Sequence, residues 1–350
     1  MASTFCSCSG PRATDVNAIH TEVHQWPRFV TKDEAADLCL ILVNYNTAHL
    51  LERCISELRR ASSGLAVRVV IVDNASRDGS VEFVRETFPD CILIANTVNV
   101  GFGRANNQAL EFSDAPFVLL LNADAFLYPD TLIKSLEHMK IHPGCGVMGV
   151  QLVDEAGHPL WQRGRRFPDP WRNFLLQTGL QPTGMADAGD ALPPGGSPSW
   201  SCDWVVGCYY MVRREVIQKI GLFDPRYFLY FEEVDHCRAV KKAGWSVESL
   251  VAARAIHVGG GSAETEGELS TSGRQISALQ IESELLYYRK HNGLVGVLAT
   301  IFLGLLSNAL RALKWLLKGR PPSGVRVFWR DSVTMSRLAV QTRLGSRATR

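Results

Sequence analysis

Short apolar runs alternate with polar loops and helical patterns in the first part of the chain. Four runs have the length and composition of buried strands. They cover residues 38–43, 67–72, 91–95 and 117–121. The first three are each followed by a segment in which apolar residues recur at helical spacing. This repetition of strand, loop and helix predicts an α/β fold with a mainly parallel central sheet flanked by helices.

The second part of the chain continues the pattern less regularly. Apolar runs at residues 144–152 and 251–256 predict further strands, and residues 204–212 predict a strand or a buried wall. Between them, residues 181–200 are rich in proline, glycine and small side chains, which predicts a long flexible loop. A loop of this length inside a compact domain is typical of a lid or a binding loop.

The most unusual polar residues come directly after predicted strands. Asn44-Tyr45-Asn46, Asp73 and Asn122-Ala123-Asp124 all follow strands, and open α/β sheets bind ligands at that edge. Asp124 offers a hard oxygen ligand for Mg²⁺ or Mn²⁺, and Asn122 points the same way on an extended chain. The alternative is structural, since Asp73 can form a turn and Asn122 and Asp124 can cap the following turn and helix.

Three further places carry candidate chemistry, each with a structural alternative. Arg104 begins a predicted helix, where a cation gains nothing from the helix dipole, so it contacts a phosphate or is a solvated surface residue. Glu232-Glu233-Val234-Asp235 follows an aromatic run, which favours a raised carboxyl pKa and a general base, or else a first helical turn that complements the dipole. His257 ends a strand before a glycine-rich loop and is a metal ligand or a structural histidine.

An 18-residue stretch without charge, residues 293–310, precedes a strongly basic end. From residue 311 onward the only acid is Asp331. The basic residues there are Arg311, Lys314, Lys318, Arg320, Arg326, Arg330, Arg337, Arg343, Arg347 and Arg350. This pattern predicts a membrane-spanning helix, a helix lying on an anionic membrane surface, or a buried C-terminal helix.

Composition excludes some classes of protein. The net charge of +2 does not indicate a particular class of partner, and binding to nucleic acid is not expected. The glycines in NVGFG do not match G-x-G-x-x-G, and no P-loop motif appears, so neither a nicotinamide-type site nor a Walker site is supported. The nine cysteines are scattered without metal-type pairs, several in apolar surroundings, which fits a reducing cytosol. The N-terminus lacks the basic start and apolar run of a signal peptide.

Several motifs in consistent order resemble one enzyme family over residues 38–291. VNYN at 43–46, VDNASRDGS at 72–80, NVGFGRANN at 99–107 and LLLNAD at 119–124 are similar to family 2 glycosyltransferases. GLFDPRYFLYFEEVDHCRAVKKAGW at 221–245 and YYRKH at 287–291 resemble the rhamnosyltransferase-like branch of that family. Because the motifs agree in order as well as in composition, together they are far more specific than any one of them.

The resemblance implies a GT-A fold that transfers a sugar with inversion, using a divalent metal, Mg²⁺ or Mn²⁺. It implies that Asp124 and His257 hold the metal, and that Glu233, with Asp235 as the alternative, is the general base. It places Trp204 and Gly207 on the acceptor side. The implied nucleotide-sugar site takes residues from four loops: Asn44, Tyr45, Asn46, Asp73, Asn74, Gly101, Arg104 and Asn122.

We therefore expect three parts: a flexible extension over 1–37, a GT-A domain over 38–292, and an apolar membrane-associated helix with a basic tail over 293–350. The domain divides into a nucleotide-sugar-binding half, 38–125, and an acceptor half, 126–292. The expected reaction moves rhamnose or a similar sugar from a nucleotide-diphospho-sugar to a glycan or polyprenyl-linked acceptor at the cytoplasmic face of a membrane. The alternatives are a galactofuranosyl or N-acetylglucosaminyl transferase, or a catalytically idle membrane scaffold of the same fold.

Overall fold

The fold was obtained as a computed structural model that describes residues 27–160, 166–182, 197–258 and 274–350. The predicted loop over 181–200 lies mostly outside these residues. So do the glycines that follow His257 and the first 26 residues of the predicted flexible extension.

The first half of the described chain forms a parallel sheet, as the apolar runs predict. The order across the sheet is β3-β2-β1-β4, and all three pairings are parallel. The strands are β1 (Leu38–Asn44), β2 (Val67–Asp73), β3 (Ile92–Ala95) and β4 (Phe117–Asn122). The connecting helices are α1 (Ala48–Ala61), α2 (Ser80–Thr87) and α3 (Phe102–Ala109). The polar ends of β1, β2 and β4 therefore meet at one edge.

The second half extends this sheet with strands of both directions. Its elements are β5 (Ala125–Leu127), α4 (Thr131–Ile141), β6 (Cys145–Val153), α5 (Pro170–Thr178), β7 (Ser199–Ser201), β8 (Tyr209–Arg213), α6 (Arg214–Ile220), α7 (Glu232–Lys242) and β9 (Ser246–His257). Strand β8 runs antiparallel between β4 and β6, β6 pairs in parallel with β9, and β5 and β7 pair antiparallel with β9.

The predicted α/β fold with flanking helices is confirmed, but the sheet is mixed rather than parallel throughout. The strand expected over residues 204–212 is shorter than its apolar run, because the chain turns at Gly207-Cys208 and only Tyr209–Arg213 joins the sheet. Apolar character alone does not distinguish a strand from the buried turn that precedes it.

The core lies on both faces of the sheet, because the side chains of a strand alternate between faces. Leu38, Leu40 and Leu42 of β1 pack in one apolar cluster, and Cys39 and Ile41 pack in the other. All five side chains are fully buried. Burial on both faces explains why the strand reads as a continuous apolar run.

The described part of the expected flexible extension, residues 27–37, packs against the domain. Phe29 is fully buried, and the Val30 amide donates to the Val67 carbonyl oxygen at 2.9 Å. The Arg68 guanidinium, 1% exposed, donates to the carbonyl oxygens of Thr31, Lys32 and Glu34. The expectation of mobility is therefore wrong for this stretch, because a buried arginine on β2 depends on its carbonyls for hydrogen bonds.

The C-terminal part forms two long helices. Helix α8 (Arg274–Leu317) contains non-helical backbone at Gly293 (φ 66°, ψ −159°), so it is two helices joined at a kink. Helix α9 (Val325–Gln341) then packs against it. The expected C-terminal apolar helix is confirmed, whereas the expected basic tail is largely this second helix. Residues 278–317 are long and apolar enough to cross a membrane, with a mean hydropathy of 2.0 and 28% of the most apolar window buried.

Candidate active site

Asp73 and Asn44 form a fixed polar pair at the ends of β1 and β2. The two residues are register partners, and each is 1% exposed. Asn44 Nδ2 donates to Asp73 Oδ2 at 2.7 Å, and the Ser76 amide donates to Asp73 Oδ1 at 2.9 Å. The hydrogen bond from the Ser76 amide is the contact expected if Asp73 forms a turn. Part of the role of Asp73 is therefore structural. The bond from Asn44 fixes the carboxylate at the ligand-binding edge.

Ser76 joins the loop after β1 to the loop after β2. Its hydroxyl lies 3.1 Å from Asn44 Nδ2 and accepts the Asn46 amide at 2.9 Å. Asn46 has a positive φ of 52°, and its Oδ1 accepts the Arg77 amide at 2.8 Å. Tyr45, between them in sequence, is half-buried. Ser76 is a site residue that the sequence reasoning did not single out, although it lies inside the VDNASRDGS motif.

Asn74 and Gly101 shape the third loop of this edge. The Asn74 amide group donates to Asn99 Oδ1 at 2.8 Å, and Asn74 Oδ1 accepts the Val100 amide at 3.0 Å. Gly101 has a φ of 89°, and a Cβ there would lie 2.5 Å from the Phe228 carbonyl oxygen. Gly101 thus allows the loop after β3 to approach the loop that leads into α7.

Arg104 is held by backbone carbonyls rather than placed among the polar loop residues. Its Nε donates to the Pro225 carbonyl at 2.8 Å, and its two terminal nitrogens donate to the carbonyls of Val100 and Arg350, each at 3.2 Å. A guanidinium that joins its own loop to Pro225 and to Arg350 has a packing role, and these contacts do not favour the expected phosphate contact. Sequence spacing could not reveal this, because two of the partners lie more than 100 positions away.

Asp124 and His257 face each other where β5 pairs with β9. Ala125 is the register partner of His257, and the Val258 amide donates to the Asp124 carbonyl at 3.2 Å. The pairing brings His257 Nε2 to 3.5 Å from Asp124 Oδ1. Their side chains are 15% and 10% exposed. The structure therefore brings together the two predicted metal ligands, which are 133 positions apart in sequence (257 − 124).

The separation of these two side chains fits a shared metal ion. Adjacent ligands of an octahedral Mg²⁺ each lie ~2.1 Å from the ion and hence ~3 Å from each other. The observed 3.5 Å needs only a small adjustment to reach that value. Asn122 Oδ1, two positions before Asp124, is buried without a hydrogen-bond partner in the described chain. Such an oxygen suits a ligand or a metal-bound water, because an unpaired buried acceptor is costly.

Glu232 and Glu233 begin α7 immediately after a strained stretch of backbone. Tyr230 and Phe231 both have positive φ, 70° and 67°, which is unfavourable for side chains of this size. Burial and then the charge of Glu233 raise the pKa of Glu232 well above its ordinary value, which favours its protonated form. Glu233 is half-buried. The pair therefore places a carboxyl that favours its neutral form beside a second carboxyl group whose Oε2 is buried.

The segment around Gly207 and Cys208 connects Glu233 with Asp124. A Cβ on Gly207 would lie 3.9 Å from the Glu233 Cβ and 3.7 Å from Phe102. Burial, followed by the charges of Asp124 and Glu233, raises the pKa of the Cys208 thiol. The backbone of Asn122 also donates to the Cys208 carbonyl at 3.1 Å. Trp204, on the same segment, donates through Nε1 to the Arg166 carbonyl at 2.8 Å.

Asp235 is saturated by partners from α8. Lys290 Nζ lies 2.7 Å from Asp235 Oδ2, and His291 Nε2 lies 2.6 Å from Oδ1, with the Tyr227 hydroxyl at 3.3 Å. Burial alone would raise the pKa of Asp235, but the hydrogen bonds from His291 and Lys290 lower it below its ordinary value. A carboxylate so engaged is a poor proton acceptor, so the contacts favour Glu233 over Asp235 as the base.

We expect Asp235→Asn to destabilise the fold by about 2–4 kcal/mol at neutral pH, because Lys290 and His291 lose their buried carboxylate partner and Lys290 keeps only the more exposed Asp224. The lowered folded pKa means that Asp235 contributes stability above its ordinary pKa of 3.8 and that the contribution is lost as pH falls below it. Denaturant unfolding of both proteins, at neutral pH and near pH 3, checks this. A loss of stability that is equal at both pH values would contradict the charge-pairing explanation.

A second group with metal-ligand chemistry lies elsewhere in the described chain. His138, Cys145 and Glu248 have ligand atoms within 4.8 Å of one another. His138 Nε2 and Glu248 Oε2 are 2.8 Å apart, so the two already satisfy each other. Glu248 is nine positions before His257 on β9 (257 − 248), or ~30 Å along a strand. This group is therefore separate from the Asp124–His257 pair.

Comparison with known proteins agrees with this geometry. Residues 39–195 match the model of glycosyl transferase family 2. An N-acetylglucosaminyl-diphospho-decaprenol L-rhamnosyltransferase from Mycobacterium tuberculosis is 27% identical over 252 residues, which cover 63% of this chain and 75% of that protein. A rhamnosyltransferase from Escherichia coli, WbbL, is 27% identical over 168 residues, covering 45% of this chain and 60% of the relative.

A solved structure of similar fold is the mannosyltransferase PcManGT from Pyrobaculum calidifontis, in complex with GDP-Man and Mn²⁺. It has a TM-score of 0.51 and 16% identity, and the match covers 91% of each chain. The fold is thus of the GT-A type, and the chain is a glycosyltransferase. Residues 39–195 form a glycosyl transferase family 2 domain, and the relatives of the chain include rhamnosyltransferases.

Proposed function

We propose that this protein is an inverting, metal-dependent glycosyltransferase that moves rhamnose, from dTDP-rhamnose, onto a lipid-linked glycan acceptor at the cytoplasmic face of a membrane. Such a step belongs to the synthesis of cell-surface polysaccharide. Two rhamnosyltransferases among the relatives support the choice of sugar. The printed name of the mycobacterial relative supports an N-acetylglucosaminyl-diphospho-polyprenol as the acceptor.

One observation carries the proposal: Asp124, His257 and Glu233 converge around a single buried turn. The first two lie 3.5 Å apart, the backbone of Asn122, two positions before Asp124, donates to the Cys208 carbonyl at 3.1 Å, and Glu233 Cβ lies 3.9 Å from the Cβ position of Gly207. A site that holds a diphosphate through a metal beside a carboxylate has the groups that sugar transfer needs: charge neutralisation for the leaving group and a base for the attacking hydroxyl.

The donor would lie across the edge formed by β1, β2 and β4. Asp73 and Asn44 are fixed in position to hydrogen-bond the base or ribose, with Tyr45, Asn46 and Asn74 beside them. Asn122 would contact the diphosphate through its unpaired Oδ1 only by way of a bound metal or water, because both partners are acceptors.

Asp124 and His257 would hold the divalent ion, Mg²⁺ or Mn²⁺. When bound, such an ion acts as a Lewis acid and a template that neutralises the charge gathering on the leaving diphosphate. The protein's own contribution is to keep the two ligands at a fixed separation with little exposure to solvent. Backbone pairing of β5 with β9 fixes that separation.

Glu233 would accept the proton of the acceptor hydroxyl as that oxygen attacks the anomeric carbon. The new C–O bond forms as the bond from the sugar to the diphosphate breaks, and the electron pair of that bond leaves with the nucleotide. Attack from the face opposite the leaving group inverts the anomeric centre. Because Glu232 favours its protonated form, the negative charge of the pair would lie on Glu233. Gly207 has no side chain, so the acceptor would have room beside Glu233.

We expect dTDP-rhamnose to raise the melting temperature only when Mn²⁺ or Mg²⁺ is present, because a ligand that binds only the folded state stabilises it in proportion to its saturation. A panel that includes UDP-galactofuranose, UDP-N-acetylglucosamine and GDP-mannose identifies the donor. A larger rise in melting temperature with one of these donors would identify its sugar, rather than rhamnose, as the one transferred. No shift with any nucleotide-sugar would favour the catalytically idle scaffold.

A further inference from the structure

The second half of α8 and helix α9 share an uncovered apolar face, here called the outer face. We propose that the outer face lies in the plane of an anionic phospholipid surface and that α8 does not cross the bilayer. The inference rests on the proposed function only in its choice of a membrane as the place where a lipid-linked acceptor is met. The binding itself needs neither donor nor acceptor.

On α8, exposed apolar side chains recur every three or four residues and so form one stripe along the helix. They include Val295, Leu298, Phe302, Leu306, Leu313 and Leu316. Val295 is 79% exposed and Phe302 is 64% exposed. The stripe runs over about six turns, or ~32 Å of helix. A continuous apolar stripe of this length on a protein surface marks an interaction site.

The other sides of this helix are covered by the protein. Ser307 Oγ donates to Gln177 Oε1 of α5 at 3.0 Å, and Lys314 Nζ donates to the Thr178 carbonyl. Asn308 Nδ2 donates to Ser332 Oγ of α9 at 3.1 Å. Helix α8 therefore contacts the body of the protein on one side and α9 on a second, and the apolar stripe forms the third.

Helix α9 is arranged in the same way. Its Leu338 and Ala339 pack in the apolar cluster that includes Tyr227 and Leu285 of the main domain. Trp329, Val333 and Val340, which are 73%, 49% and 78% exposed, lie on one uncovered side. Because each helix contacts the domain on one side and its partner on another, the uncovered sides of both face away from the domain.

Charge on the same helices identifies the partner as an anionic surface. Arg326, Arg330 and Arg337 lie beside Trp329 and Val333 on the helical wheel of α9, at the edge of its apolar side. Asp331 is the only acid from residue 311 onward. Apolar side chains with tryptophan, bordered by arginine, are the composition of a helix that lies at a lipid head-group boundary.

The contacts decide between lying on the membrane and crossing it. If α8 crossed the bilayer with its observed neighbours, it would carry into the hydrocarbon the charges of α9, namely Arg326, Arg330, Asp331 and Arg337, together with the polar contacts to α5. Charges at the bilayer centre are strongly unfavourable. Lying in the plane buries only the apolar stripe and leaves the arginines at the head groups, where their long side chains reach the phosphates.

The test uses the full-length chain and vesicles of phosphatidylcholine, alone or mixed with phosphatidylglycerol. We expect flotation with the mixed vesicles. The double variant Phe302→Asp with Leu306→Asp should weaken binding ~100-fold, because each substitution removes an apolar side chain that the lipid would bury. Replacing Arg326, Arg330 and Arg337 by Gln should weaken binding to the mixed vesicles ~100-fold, at about fivefold per charge.

Matched controls come from apolar and basic residues exposed elsewhere. Ile133→Asp with Ile141→Asp, at residues of α4 that are 43% and 70% exposed, should leave binding unchanged, as should Arg85→Gln, Lys140→Gln and Lys242→Gln. A chain that fails to bind mixed vesicles, or control variants that lose binding equally, would overturn the proposal. Neither outcome depends on sugar transfer, so failure of the donor assignment is recognised separately by the donor panel.

Depth measurements separate the two membrane arrangements. Val295→Cys, Leu306→Cys and Leu316→Cys are each introduced into a chain that carries Cys6→Ser, Cys8→Ser, Cys91→Ser and Cys202→Ser, because Cys91 and Cys202 are only half-buried. Each introduced cysteine carries a fluorophore that is quenched by lipids labelled near the head group or near the bilayer centre. The in-plane arrangement predicts the same shallow depth at all three. A deep signal at Leu306 with the two end positions near opposite surfaces would show a spanning helix and overturn the proposal.

Discussion

Replacing Glu233 by Gln is expected to lower kcat about 100- to 10,000-fold, which is the range that a positioned general base contributes. The amide keeps the shape of the side chain but cannot accept the proton of the attacking hydroxyl. Donor affinity should change little, because Asp73 and the Asp124–His257 pair hold the nucleotide-sugar. Steady-state kinetics of nucleotide release, with donor binding measured separately, checks both expectations.

The neighbouring Glu232→Gln is the matched control for this prediction. Burial and the charge of Glu233 already favour a protonated Glu232, so a neutral amide there changes shape and charge little. We expect kcat to stay within a few-fold of the wild-type value. Equal losses of kcat in both variants would indicate that the substitutions disturb helix α7 rather than remove a general base. Full activity in Glu233→Gln would remove that residue from the mechanism.

Replacing Asp124 by Asn is expected to weaken metal-dependent donor binding by at least the roughly 10- to 100-fold that loss of a supporting metal contact costs. The carboxylate is the only anionic member of the predicted ligand pair, and an amide oxygen binds a divalent ion less strongly. Calorimetric titration of donor with and without Mn²⁺ measures the change. Binding of the nucleoside monophosphate, which lacks the diphosphate, should be less affected.

Asp154→Asn provides the comparison for Asp124. Asp154 also lies beside a histidine, with Oδ2 3.2 Å from His158 Nδ1, but the two side chains are 42% and 78% exposed. We expect no change in metal-dependent binding in this variant. If Asp124→Asn binds donor and metal as the wild type does, the metal site must be sought elsewhere, and the His138–Cys145–Glu248 group is the first place to look.

The sequence predicts the parallel part of the fold well because its signal is local. Strands β1, β2 and β4 are buried on both faces, so each appears as a continuous apolar run, and the polar residue that ends each run is also the residue at the ligand edge. Asp73 and Asn122 are recognised for this reason. The direction of β8 carries no such signal, since antiparallel and parallel strands have the same side-chain period.

Contacts between distant residues explain what the sequence reasoning missed. Arg104 has the position of a phosphate-binding residue, yet it donates to carbonyls of Pro225 and Arg350. Asp235 has the type and spacing of a catalytic acid, yet Lys290 and His291 satisfy it from α8. Residue type and spacing show what a side chain can do, whereas only the fold shows whether its partners are already supplied.

The most direct test of the central claim is transfer itself. The wild-type protein would be incubated with dTDP-rhamnose, Mn²⁺ and N-acetylglucosaminyl-diphospho-decaprenol, and the lipid product analysed by mass spectrometry and NMR. We predict addition of one rhamnose, with an anomeric configuration opposite to that of the donor, at a rate at least ~100-fold lower with Glu233→Gln, and no product without metal. Retention of configuration, or product that forms equally well with Glu233→Gln, would contradict the account.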